Sequence, residues 1–191
     1  MKLFLYNLIL ILLTPIFGIR IFYKSLYDKN YRSDFLQRFG ISKQTYNFAS
    51  DKKIIWFHAV SLGEVIGSQN IIKNLTNEAN IILTVTTPTG LRKAKELYKD
   101  HDIQISYAAW DFYLFVLHFI NKNQPNLIII FETEVWPSMI NIAFDKDIPV
   151  VISNGRMSEK SYNAYKRFSF FTEEAFRTVS YTHLRAHETK C

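Results

Sequence analysis

Cysteine is almost missing from this 191-residue chain. Cys191 is the only one, so no disulfide can form within the chain, which suits a reducing compartment. Glycine and proline are scarce, at six and five residues, which excludes collagen-like and Pro/Gly-rich low-complexity chains. No internal repeat is present, and no segment carries the glycines and lysine of a phosphate-binding P-loop. Acidic side chains are outnumbered by basic ones, 17 to 23, for a net charge of +6. That excess suits an anionic partner: a membrane surface, a phosphorylated lipid, a nucleotide or a nucleic acid. Charge is missing altogether between Lys2 and Arg20.

That uncharged run, Leu3 to Ile19, is apolar except at Asn7, Thr14, Pro15 and Gly18. Its length is near the lower limit of roughly 17–25 residues for a membrane helix. Pro15 and Gly18 are expected to kink or end it. It leads into Ile19-Arg20-Ile21-Phe22-Tyr23, which offers no small-residue cleavage site for a secretory signal. The favoured reading is a membrane anchor over residues 1–23. A buried core helix and a shallow, non-spanning insertion stay open. Lys2 alone precedes the run, whereas Arg20, Lys24, Lys29, Arg32 and Arg38 follow it. The positive-inside bias therefore leaves the remainder in the cytoplasm.

Residues 24–50 read as an amphipathic connection with Gly40 as a helix stop. From Lys53 the pattern alternates regularly. Strands are expected over 54–57, 81–86, 104–107, 127–131 and 149–153. Helices are expected over 63–77, 90–98, 112–120 and 136–144. The predicted fold is therefore a doubly wound, Rossmann-like parallel sheet over residues 51–177 with helices on both faces. Residues 178–191 lack a periodic apolar face and resemble translated sequencing-adaptor read-through, so they are set apart as a non-native tail. His183, His187 and Cys191 are accordingly not taken as a metal site, and no metal is expected.

In an open parallel sheet ligands bind beyond the carboxyl ends of the strands. The groups placed there are His58 to Glu64, Thr86 to Gly90, Trp110 and Asp111, Glu132 to Pro137, and Asn154 to Ser158. Glu64, at a helix start behind Ser61 and Gly63, has two readings. It complements the helix dipole, or it serves as a general base for a hydroxyl nucleophile. Glu132 and Glu134 are either a solvated loop or groups that bind sugar hydroxyls, orient a basic side chain, or act as acid and base. Thr86, Thr87 and Thr89 before Gly90 offer hydroxyls to phosphate or sugar oxygen. Arg156 pairs with phosphate or carboxylate, or forms a surface salt bridge. His58, following an apolar strand, reads as a core histidine, and Trp136 as a packing residue.

In this order, these loops resemble the Kdo (3-deoxy-D-manno-octulosonic acid) transferases of lipopolysaccharide synthesis. The family's His-Ala-Val-Ser-Val-Gly-Glu is matched by His58–Glu64 with Leu62 for valine. Its Thr-Thr-x-Thr-Gly is matched by Thr86–Gly90. Its Glu-Thr-Glu-hydrophobic-Trp-Pro-Asn is matched from Glu132, with Ser138 for asparagine. Its Asn-Ala-Arg-Leu-Ser is matched by Asn154–Ser158, with Gly155 and Met157 substituted. The Arg38-Phe39-Gly40 turn also matches, whereas Ala109-Trp110 replace the family's proline and tyrosine before Asp111. The resemblance covers about residues 1–177.

It implies the N-terminal, acceptor-binding domain of a GT-B glycosyltransferase whose C-terminal, CMP-Kdo-binding domain is missing from this chain. The implied reaction is inverting, metal-independent transfer of Kdo from CMP-Kdo to the lipid A precursor, lipid IVA, at the cytoplasmic face of the inner membrane. No cofactor is implied, since CMP-Kdo is the donor substrate, and nucleic acid is not an implied partner. Glu64 is the implied general base. Ser61, Gly63, Thr87, Thr89, Gly90, Asp111, Glu132, Glu134 and Arg156 are the implied substrate-binding residues. Lys24, Arg32 and Arg38 are further expected to meet acceptor phosphates. The competing expectations are a non-catalytic, membrane-tethered nucleotide- or phospholipid-binding module, and another GT-B enzyme acting on a lipid-linked acceptor.

Overall fold

The computed structural model describes residues 2–27, 34–41, 48, 51–132, 135–157, 180–182 and 185–186. After the N-terminal helix α1 (Lys2–Tyr27) and a 3-10 turn (Phe35–Phe39) comes an alternating series. It runs β1 (Ile54–His58), α2 (Leu62–Gly67), α3 (Gln69–Leu75), β2 (Asn80–Val85), α4 (Pro88–Leu97) and β3 (Ile103–Tyr107). It continues with α5 (Tyr113–Asn123), β4 (Leu127–Phe131), α6 (Pro137–Asp145) and β5 (Val150–Ser153). Three short strands follow: β6 (Arg156–Met157), β7 (Ser180–Thr182) and β8 (Arg185–Ala186).

The main sheet is wholly parallel in the order β3-β2-β1-β4-β5-β7. The first five strands are those expected from the apolar runs. Residues 180–182, set apart on sequence grounds, lie beside β5 as the sixth. Successive side chains on a strand point to opposite faces, and here they feed two separate cores. Ile55, Phe57, Ile81, Leu83 and Phe131 pack with Val65 and Ile72 of α2 and α3 and with Leu91 and Ala94 of α4. Trp56, Ile82, Ile128, Ile130 and Ile152 pack with Val116 and Phe119 of α5 and with Met139 and Ile142 of α6. Burying each such side chain contributes roughly 1.5–3 kcal/mol, which is why strands covered on both faces read as unbroken apolar runs.

Two boundaries differ from the sequence reading. The helix expected over 63–77 is two helices meeting at buried Ser68, whose Oγ donates to the Val65 carbonyl at 3.3 Å. A serine bonding back to its own helix in this way competes with the backbone ladder. Further upstream, α1 neither stops nor breaks at Pro15 or Gly18 but runs unbroken for 26 residues. Pro15 removes one N–H from the ladder, and Thr14 Oγ1 donates to the Leu10 carbonyl at 2.9 Å within the same turn. Helix α1 is long and apolar enough to cross a membrane.

Candidate functional site

The strand order reverses between β1 and β4, so the crevice of this sheet opens where the chain leaves those two strands. The loop after β1 ends at Ser61, Glu64 stands in the first turn of α2, and the residue directly after β4 is Glu132. The β1 loop is held against the β2 loop: the N–H groups of Thr86 and Thr87 both donate to the Val60 carbonyl, at 3.1 and 3.2 Å. Ser61 caps α2 from an extended backbone, accepting from the Glu64 N–H at 3.4 Å. Glu64 reaches back, its Oε2 accepting from the Val60 N–H at 2.7 Å. This reciprocal arrangement is a capping box shifted by one residue, and it fixes where the carboxylate sits. The N–H of Glu64 is thereby committed to Ser61.

Only 6% of Glu64 is exposed. Burial raises its pKa above the ordinary carboxylate range, hydrogen bonds from Val60 and Ser61 pull it back, and the negative charge of Glu132 pushes it up again. The fold therefore brings Glu64 and Glu132 within electrostatic reach, a combination suited to a proton acceptor. Glu132 is half-buried and stands in the left-handed region at φ 67°, and Asn154, directly after β5, stands there at φ 55°. Such conformations cost about 1–3 kcal/mol for a non-glycine residue and cluster at functional sites. Glu132 is held there by its N–H, which donates to the Ser153 carbonyl at 2.9 Å. Glu134 lies outside the described residues, as does the side chain of Arg156, whose backbone forms β6.

The remaining candidates divide between the crevice and the framework. Gly63 is exposed, and a Cβ added to it would meet nothing nearer than Ser61 Oγ at 3.9 Å. Thr89 is exposed beside Thr87, whose Oγ1 accepts from the Gly90 N–H at 3.2 Å and so caps α4. Gly90 is buried and packs so closely on the α2 backbone that a Cβ there would lie 3.2 Å from Leu62 N.

Asp111 is 7% exposed and fully committed. Its Oδ2 accepts from Ser138 N–H and Tyr6 O–H, and its Oδ1 from Met139 N–H, each at 2.9 Å. It therefore caps the first turn of α6 across the fold. Burial lifts its pKa to about 7 against the opposing pull of those three donors. These bonds tie Asp111 to α1 and α6, and it also lines the groove between α1 and Trp136.

Arg38, expected to meet phosphate, is likewise buried at 4% exposure. Its guanidinium stacks 4.0 Å from the Tyr107 ring centroid and donates to the Thr86 carbonyl at 3.2 Å. Lys24 is exposed on α1, and Arg32 lies outside the described residues. His58 is buried in the core as the strand pattern suggested. Its Nδ1 lies 2.8 Å from Thr84 Oγ1, which also accepts from Trp56 Nε1–H at 2.7 Å. Burial pushes its pKa down to about 3, so the ring is neutral near pH 7. Trp136 packs edge-on against it, with ring centroids 4.6 Å apart.

Sequence reasoning missed Tyr6 and Asn7. Asn7 Oδ1 accepts from the Tyr113 N–H at 2.8 Å, capping α5, and its Nδ2 lies 3.3 Å from Ser138 Oγ. The one signal that could have found it was a lone asparagine in an apolar run. Among the described residues no group of three or more His, Cys, Asp or Glu is placed to hold a metal ion.

Comparison with known proteins agrees with the loop motifs. The sequence profile of the family described as 3-deoxy-D-manno-octulosonic-acid transferase (kdotransferase) matches residues 33–190. The chain is 31% identical over 182 residues to a 3-deoxy-D-manno-octulosonic acid transferase of Haemophilus influenzae, covering 93% of this chain and 42% of that protein. It is 30% identical over 180 residues to the enzyme of the same name from Rickettsia bellii, covering 92% and 42%. It is 29% identical over 150 residues to a bifunctional glycosyltransferase/methyltransferase of Fusobacterium nucleatum, covering 77% and 23%. The chain thus spans between about a quarter and two fifths of the length of these relatives. Among solved structures, MurG of Acinetobacter baumannii aligns over 73% of this chain and 43% of its own, with a TM-score of 0.48 and 14% identity. The profile match spans well over half of the residues, and the chain belongs to the 3-deoxy-D-manno-octulosonic-acid transferase (kdotransferase) family.

Proposed function

We propose that this chain is the acceptor-binding half of an inverting, metal-independent glycosyltransferase. In this reading the whole enzyme moves Kdo from CMP-Kdo to a glucosamine hydroxyl of the lipid A precursor, at the cytoplasmic face of the inner membrane. Glu64 takes the proton from that hydroxyl as its oxygen attacks the anomeric carbon. The anomeric C–O bond to CMP breaks, and CMP leaves with the bonding pair. Glu132, Gly63 and Thr89 face the acceptor, and Glu134 and Arg156 bind it. Ser61, Thr87, Gly90 and Asp111 hold the loops that present them. The donor-binding half, which stabilises the departing phosphate, is a second domain that completes the cleft.

The observation that carries this reading is the position of Glu64. Its carboxylate sits at the switch point of the sheet, fixed by Val60 N–H, with its pKa raised by burial and by Glu132. A base with a raised pKa takes up a proton more readily from an attacking hydroxyl. The test is transfer of radiolabelled Kdo to the lipid A precursor by the full-length protein. Glu64→Gln should abolish it while membrane attachment is kept, and the 191-residue chain alone should be inactive. A wild-type rate in the Glu64→Gln enzyme sinks the general-base role, and transfer by the isolated chain sinks the two-domain division.

A further inference from the structure

Helix α1 bears Lys2 at one end, Arg20 and Lys24 towards the other, and no charge between Leu3 and Ile19. Phe4, Leu12, Ile16 and Ile19 are between 62% and 74% exposed. An uncovered apolar surface of this length, with cations at both ends, calls for a lipid partner with anionic headgroups. A helix that lies along the bilayer surface ordinarily has a strongly polar face, which α1 lacks between Leu3 and Ile19. Composition alone therefore suits a crossing helix as well as one whose inner face packs on protein. The tertiary contacts separate them.

A crossing helix with the domain on the Lys24 side would carry Tyr6 and Asn7 to the far leaflet. Roughly twenty residues of helix span about 30 Å, close to the hydrocarbon thickness. Here both side chains instead touch the domain, at buried groups. Tyr6 O–H donates to Asp111, and Asn7 caps α5. The contact continues beyond these two residues. Tyr6, Asn7, Leu10, Thr14, Ile21 and Ser25 are among the less exposed positions, and their spacing of three, four and seven marks one helix face. Two apolar grooves flank that face. One holds Phe4, Leu8 and Ile11 opposite Trp110 and Phe112, and the other holds Leu10, Phe17 and Ile21 opposite Val135 and Trp136.

We propose that α1 does not cross the membrane: it lies flat in the surface of an anionic bilayer, latched by Tyr6 and Asn7 to Asp111, Tyr113 and Ser138, with both helix ends on the side of the domain. The domain then meets the lipid surface along the rim that carries residues 110–115 and 135–136. This rests on the membrane-attachment part of the proposed function and specifies its geometry. The outward face of α1, with Phe4, Leu12 and Ile19, enters the headgroup and acyl boundary. Lys2, Arg20 and Lys24 reach the phosphates.

The test uses the 191-residue chain with Cys191→Ser, expressed in bacteria and recovered in inverted inner-membrane vesicles. Lys2→Cys, and Lys99→Cys on the domain as a control, are treated with a membrane-impermeant maleimide. The expected result is labelling of both variants without permeabilisation. Labelling of the Lys2→Cys variant only after detergent, with the Lys99→Cys variant labelled throughout, overturns the flat geometry and leaves attachment standing. A chain absent from the vesicle fraction overturns attachment and geometry together. In a second experiment, Asn7→Cys is combined with Ser138→Cys. An intramolecular disulfide should form in the vesicles and shift electrophoretic mobility, and its absence overturns the latch.

Discussion

Replacing Gly90 with alanine tests whether the two loops at the crevice are packed as tightly as the structure places them. A Cβ at Gly90 would lie 2.7 Å from Val85 Cγ1, 2.9 Å from Thr87 Oγ1 and 3.2 Å from Leu62 N. The first two belong to side chains, one of which caps α4, and the third is the backbone of the α2 entry. Overpacking of this kind costs about 1–3 kcal/mol, and displacing the Thr87 cap adds about 1 kcal/mol. The better helix propensity of alanine returns about 1 kcal/mol. The net loss is about 1–3 kcal/mol, which for a chain of this size lowers the Tm by roughly 2–12 °C. Gly63→Ala is the control. It also sits in the first turn of a helix, but its Cβ would meet only Ser61 Oγ at 3.9 Å, so it should hold or raise the Tm by up to about 4 °C. The assay is thermal unfolding of the chain in detergent micelles, followed by circular dichroism. A Gly90→Ala protein as stable as the Gly63→Ala protein would refute the packing of α4 on the α2 entry.

Three other outcomes are expected. Asp111 binds a proton in the folded state up to about pH 7 and in the unfolded state only below its ordinary value of 3.8. Between those limits the folded state holds more protons, so stability should fall as pH rises and then level off; denaturant titrations across that range should show the slope, and Asp111→Asn should remove it. If Glu64 is the general base as proposed, then because burial and Glu132 raise its pKa, the acid limb of the full-length protein's pH–rate profile should lie above the ordinary glutamate value, and Glu132→Gln should move it down. Thr84→Val removes the shared partner of Trp56 Nε1 and His58 Nδ1. Stranding these buried groups should cost about 2 kcal/mol or more, read as a lower denaturation midpoint, and an unchanged midpoint would dismiss the triad.

The sequence by itself determined the layer architecture. Parallel strands buried on both faces must be apolar at every position, so β1, β2 and β4 stand out as unbroken runs, and the helices between them show their single apolar faces. It also placed Glu132 directly after one apolar strand and Glu64 at the helix start that follows another, the end of the sheet where ligands bind. Strand order was not legible, since any order satisfies the same local pattern. Only the 3-2-1-4-5 arrangement puts the ends of β1 and β4 side by side and makes one crevice of two loops far apart in the chain. The division of labour among the motif residues was likewise decided in three dimensions. Asp111 and Arg38 both have long-range partners that no local pattern announces, Ser138 and Met139 for one and Tyr107 and Thr86 for the other. Asn7 is the converse: an interruption in an apolar run whose purpose emerges only when the N-terminus of α5 arrives beside it. Hydrogen bonds between residues so far apart in the chain leave no period in a sequence, and so the attachment of α1 to the domain belongs to the tertiary structure alone.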